Sequence, residues 1–168
     1  MAQKVGKGDH GSERRPPNRA QRTTLEIVGD RRFIRGVRRA LKLLKQKTPG
    51  THLVVLRHVG RIEEGEYVHF KVGADPSTVA LTKCTAFTNR KTCASALVHE
   101  AYHSMLHQLR ARGRRRAPPL WESDRVAQEQ FCIARELEFL ERVNGPPRVI
   151  AWLKNQDGTH CLHSPSQE

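Results

Sequence analysis

Aromatic residues are scarce in this chain, at 5% of 168 positions. Any core must therefore rest on Leu, Val, Ile and Ala, and it can be only a modest one for a single domain of this length. No run approaches the roughly 18 consecutive apolar residues of a membrane span. The first 24 residues carry no apolar h-region, so no Sec-type signal peptide is expected and the cytoplasm is the default location. Non-classical export by a machine that reads a polar, disordered N-terminus would leave the same pattern. Nor is there a Cys-x-x-Cys among Cys84, Cys93, Cys132 and Cys161. That argues against paired-cysteine metal or dithiol redox chemistry and for reduced, mostly buried thiols.

Acidic side chains are also few, 17 against 30 lysines and arginines, for a net charge of +13. Residues 1–24 hold six basic and two acidic side chains, and Arg110, Arg112, Arg114, Arg115 and Arg116 crowd into one short segment. These two stretches account for nine of the thirteen net charges, which leaves the remainder only mildly basic. The Arg110–Arg116 loop is a candidate contact for a polyanion or an acidic protein surface. A nucleic-acid- or protein-binding module with a structural or vestigial zinc site is thus one reading of the chain. Against it, there is no zinc-finger spacing, no aromatic RNA-binding signature and little aromatic surface for base stacking.

The order of patterns predicts an α+β domain over residues 25–155, between a disordered basic tail (1–24) and a polar C-terminal tail (156–168). Asp30 is placed to cap a helix running to about Lys47, with Phe33, Val37, Leu41 and Leu44 at helical spacing and Thr48-Pro49-Gly50 as its stop. Three strands are expected: His52–Val59, Glu66–Val72 and Thr78–Phe87, with Gly60–Gly65 as a charged turn. Thr88 or Asn89 should cap a second helix to about Leu109. A third helix should span roughly Leu120–Val143 and end at Asn144-Gly145-Pro146-Pro147, followed by a short helical piece near Arg148–Lys154.

The second helix carries the chemistry. His99-Glu100-Ala101-Tyr102-His103 is a His-Glu-x-x-His run backed by Leu97, Ala101, Ser104 and Met105. Residues four apart lie one turn above each other, so both imidazoles leave the same face and can take two corners of a tetrahedral metal site. With nine histidines, this composition yields the pattern by chance on the order of a few times in a hundred shuffles. Its position in an amphipathic helix raises it above that. His107 continues the same column, but it lies about 12 Å along the axis from His99, beyond what one ion can span. The next helix offers Glu122 and Glu129 on the stripe marked by Val126, Ile133, Leu137 and Leu140. A carboxylate on a buried face is costly unless it is paired or bound to metal.

The pair of histidines with a glutamate some twenty residues on resembles the gluzincin branch of the zincin metallopeptidases. The resemblance covers roughly Thr78–Leu140. It implies a zincin-like fold, in which a small mixed sheet of about three strands packs on helices including the metal-binding one. It further implies Zn2+ held by His99, His103 and Glu122, with Glu129 as the alternative, and hydrolysis of a protein or peptide substrate. Glu100 would act as the general base towards a zinc-activated water. Asp124 would suit a role orienting a ligand histidine. Tyr102 is a candidate for stabilising the transition state, with packing an equal account of it; His160 and His163 are alternatives, each better accounted for by a place in the tail. By the same resemblance, substrate would add as a strand along Thr78–Phe87. The layout from Gly29 to Gly50, a helix closed by Thr-Pro-Gly ahead of strands and the histidine helix, is loosely similar to small zincins that bacteria inject into host cells.

Overall fold

A computed structural model describes residues 24–111 and 125–159. The expected N-terminal tail up to residue 23, the arginine-rich stretch from Arg112 and the chain from His160 onward lie outside them. Within the described residues the order is β1 (Glu26–Val28), α1 (Arg31–Lys47), α2 (Pro49–His58), β2 (Arg61–Glu64), β3 (His69–Lys71), β4 (Thr78–Leu81), α3 (Lys83–Thr88), α4 (Arg90–Ala111), α5 (Arg125–Arg142) and α6 (Pro147–Lys154). The fold class is α+β. The four strands form one mixed sheet in the order β1-β2-β4-β3, with β1, β2 and β4 parallel and β3 antiparallel at the edge.

Capping residues set most helix ends. Asp30 Oδ1 accepts from the Phe33 N–H at 2.7 Å and opens α1, as its position before an apolar-periodic run predicts. Thr48 closes α1, but Pro49 then occupies the first turn of α2 rather than leading into a strand. Proline lacks only an N–H that a first turn leaves unbonded anyway. The run His52–Val59, expected as a strand, is therefore helical up to His58. It buries Val55 and His58 while Leu53 stays exposed. A short apolar run without clear periodicity fits either state, and here the starting proline decides.

The second departure follows from the first. Arg61–Glu64 was expected within a turn and instead forms β2, paired with β1 and β4. Its charges find partners on adjoining elements: Arg61 with Glu26, Glu63 with Lys71, and Glu64 with Lys83. Ile62 alone enters the core. The third expected strand stops at Leu81, because Thr82 Oγ1 accepts from the Thr85 N–H and starts α3. Glu66–Val72 contributes only its middle, β3.

The core forms where α1 and α4 meet the sheet and α5 packs along α4. Phe33, Val37 and Leu44 of α1, Ile62, Val79 and Leu81 of the sheet, Leu97 and Val98 of α4, and Leu140 of α5 are all fully buried. Two further devices fix α4. Asn89 Oδ1 accepts from the Lys91 N–H at its start. Farther along, Ser104 Oγ (2.5 Å) and Gln108 Nε2 (3.0 Å) both donate to the His58 carbonyl, and Ser77 Oγ bonds Ser104 Oγ at 2.6 Å. These bonds tie the histidine helix to the end of α2 and to the approach of β4. α5 ends as its sequence predicts: Asn144 takes φ 49° and the Gly145 N–H reaches back to the Leu140 carbonyl at 2.7 Å.

Gly36 sits in the middle of α1, where glycine costs about 1 kcal/mol relative to alanine. A methyl group there would stand 2.3 Å from the Ala86 carbonyl oxygen of α3. Close backbone approach of α1 and α3 thus requires the glycine. Gly36→Ala is expected to lower stability by about 1–3 kcal/mol despite its better helix propensity. Thermal unfolding checks this, and a raised Tm would refute the contact.

Candidate metal centre

α4 and α5 pack along one another, and three side chains converge between them. His99 Nε2 and His103 Nε2 lie 3.0 Å apart, with the rings edge to face at a centroid distance of 4.8 Å. Glu129 of α5 reaches over both, with Oε1 3.1 Å from His99 Nε2 and Oε2 3.1 Å from His103 Nε2. Two nitrogens and a carboxylate thus enclose a triangle whose edges suit a cation with bonds of about 2.0–2.2 Å. His99, His103 and Glu129 form a group that can hold a metal ion.

Burial makes the grouping chemically demanding. Side-chain exposure is 14% for His99, 23% for His103 and 10% for Glu129. Burial alone would lower the His99 pKa, but Glu129, Glu136 and Glu100 outweigh it and raise it to about 10. Burial would likewise raise Glu129, yet hydrogen bonds from His103 and His99 hold its carboxyl well below the usual carboxylate range. A proton on His99 meets part of the demand of the carboxylates, and a divalent cation held between the rings would meet it more fully.

Glu136 is the residue that the sequence reading missed. It lies seven residues after Glu129, on the same stripe of α5, and its Oε2 is 3.1 Å from His99 Nδ1. The contact brings the charges close without the alignment of a hydrogen bond. A carboxylate behind the far ring nitrogen of a ligand histidine fixes the ring and raises its basicity. The i, i+7 repeat of glutamate on a mostly apolar stripe was the available signal.

Glu100 is 7% exposed and lies towards β3, where the nearby Phe70 backbone N–H favours its charged form. Burial pushes its pKa up, against the pull of His99 and His103. Tyr102 packs edge to face on Phe131 of α5, with centroids 5.5 Å apart. His107 rests against Phe70 at 5.6 Å and is not part of the triangle. Cys132 is buried near the same carboxylates, and burial together with Glu129, Glu100 and Glu136 drives its thiol pKa up, leaving it neutral. Cys84 and Cys93 are free as well. Glu122, Asp124, His160 and His163 lie outside the described residues, so among the described residues Glu129 is the carboxylate that joins the two histidines.

One expectation is corrected by the sheet order. Thr78–Phe87 was assigned as the strand that takes an added substrate strand. Its strand portion, β4, lies between β2 and β3 with all four residues buried, so it offers no free edge. The edge strand next to Glu100 is β3.

Comparison of the chain with protein-family models, curated proteins and solved structures finds no match.

Three outcomes check this geometry. Glu129→Ala should abolish stoichiometric metal binding in native mass spectrometry, whereas Glu122→Ala should preserve it. Glu136→Gln should keep the stoichiometry and weaken affinity about 10–100-fold. Because His99 holds its proton up to about pH 10 in chelated protein, loading zinc near pH 8 should release about one proton. Calorimetry in buffers of different ionisation enthalpy measures that proton, and a buffer-independent heat would contradict it.

Proposed function

We propose that the chain is a zinc-dependent metallopeptidase. The observation that carries the reading is the His99–His103–Glu129 triangle with the buried carboxyl of Glu100 on the same helix. Two histidines and one carboxylate are a donor set suited to zinc, and three protein ligands leave a position open for chemistry. Zinc bound there would supply Lewis acidity and an acidified water.

The protein's own groups account for the rest. Glu129 and the two imidazoles hold the cation, and Glu136 keeps the His99 ring in place. Glu100 takes up a proton at its carboxylate and returns it to the leaving amine. Burial shifts its pKa upward, the direction that suits a group that must return the proton it accepts. A substrate peptide in extended form pairs along the free edge of β3. The Phe70 N–H on that strand meets Glu100, so a peptide lying there passes beside the base. A closed structural site would recruit a fourth Cys or His. Among the described residues no fourth such ligand joins the group, and Cys132 stays a neutral thiol.

Glu100→Gln is nearly isosteric and removes the proton acceptor. It should retain one zinc per chain and lose about 10²–10⁴-fold in kcat on a peptide library. Chelation should abolish cleavage and zinc should restore it. Full turnover by the Gln variant would reject Glu100 as base. Zinc bound with no cleavage of any peptide would reject the peptidase reading.

A further inference from the structure

We infer that the exposed face of α1 is a docking surface for the phosphate backbone of nucleic acid. α1 holds eight basic residues and no acidic one in 17 positions. These residues are distinct in sequence from the basic residues of positions 1–24 and from Arg110–Arg116. Opposite the buried face of Phe33, Val37, Ala40 and Leu44, Arg31, Arg35, Arg38, Lys42 and Lys45 recur at intervals of four and three and are all exposed. That spacing draws them into one stripe along the helix. From Arg31 to Lys45 it is about 21 Å long at 1.5 Å per residue.

None of these five cations enters an ion pair among the described residues. Six acidic groups of the described residues pair with other cations instead: Glu26 with Arg61, Glu63 with Lys71, Asp30 and Glu64 with Lys83, Glu138 with Arg135, and Glu141 with Lys154. Like charges three and four apart on a helix repel one another, so a single-sign stripe weakens the helix that carries it. A polyanion relieves that repulsion. Along one strand of duplex DNA, with a charge every 3.4 Å, the stripe faces about six phosphates.

A bilayer suits it less well. A helix that lies in a membrane interface buries its apolar face in lipid, and here that face is taken up by the protein's own core. The one aromatic residue of α1, Phe33, is fully buried, so the surface has no ring on which to stack a base. Binding through it is therefore to the backbone and independent of sequence. This inference does not depend on the metal centre.

Fluorescence anisotropy of the full chain with a labelled duplex of about 20 base pairs tests it, over about 50–200 mM salt. The variant Arg35→Gln/Arg38→Gln/Lys42→Gln/Lys45→Gln keeps helix propensity. It should lose at least about tenfold in affinity, and its log K against log salt slope should be shallower by about 3. Arg114→Gln/Arg115→Gln/Arg116→Gln should retain most of the slope. In the unmodified protein, duplex should protect Lys42 and Lys45 from acetylation, a readout that does not depend on a variant's folding. Wild-type affinity and slope in the quadruple variant, no protection of the two lysines, or binding to phosphatidylserine vesicles without binding to duplex would each overturn the proposal.

Discussion

Three carboxylates buried around one histidine pair, two of them between α4 and α5, are the constraint on which the site depends. Glu100, Glu129 and Glu136 stand within reach of only two imidazoles. Taking such groups out of water costs several kcal/mol each unless opposite charge is close by. The compensation must come from positive charge on or between His99 and His103, so α5 has to approach α4 at one height and one rotation. The Asn89 cap and the bonds of Ser104 and Gln108 to the His58 carbonyl set the height of α4 independently, from its other side. A cation site thereby acquires walls that do not depend on the cation alone.

The helices were largely legible in the sequence because their ends carry strong local signals. Asp30, Asn89 and the Asn144-Gly145 pair each perform the capping task that their residue type predicts. The sheet was not legible, for two separate reasons. Residues 52–58 are apolar without a period, so nothing but the proline at position 49 speaks for helix. Residues 61–64 are mostly charged, and charge reads as turn until the partners are known. Only tertiary pairing of Arg61, Glu63 and Glu64 with residues distant in sequence makes a strand of them. Position at an edge or in the interior is likewise a property of the whole sheet, and so the exposed pairing edge belongs to β3 rather than β4.

At the site, helical periodicity sufficed for His99 and His103, whose juxtaposition is local. Selecting a carboxylate on another helix requires knowing how far α5 slides along α4, and spacing along the chain says little about that. Both Glu122 and Glu129 lay on the apolar stripe, and contact with the two imidazoles singles out Glu129 among the described residues. Glu136 follows from the same stripe once Glu129 is placed, since seven residues are nearly two turns.

Summed net charge also hid how charge is partitioned. The residues outside the tail and the arginine segment are only mildly basic as a group, yet α1 holds eight cations while Glu129 and Glu136 are enclosed at the α4–α5 seam and Glu100 is buried towards β3. Opposite charges free to meet on the surface would neutralise each other locally. Here the fold keeps them on different elements: α1 turns its cations to solvent because its apolar face is needed against α4, and α5 turns Glu129 and Glu136 inward because His99 and His103 are there. Amphipathic burial of α1 and charge compensation at α5 are independent requirements. Their joint satisfaction gives the described residues a carboxylate-rich interior cluster and a cationic outer face.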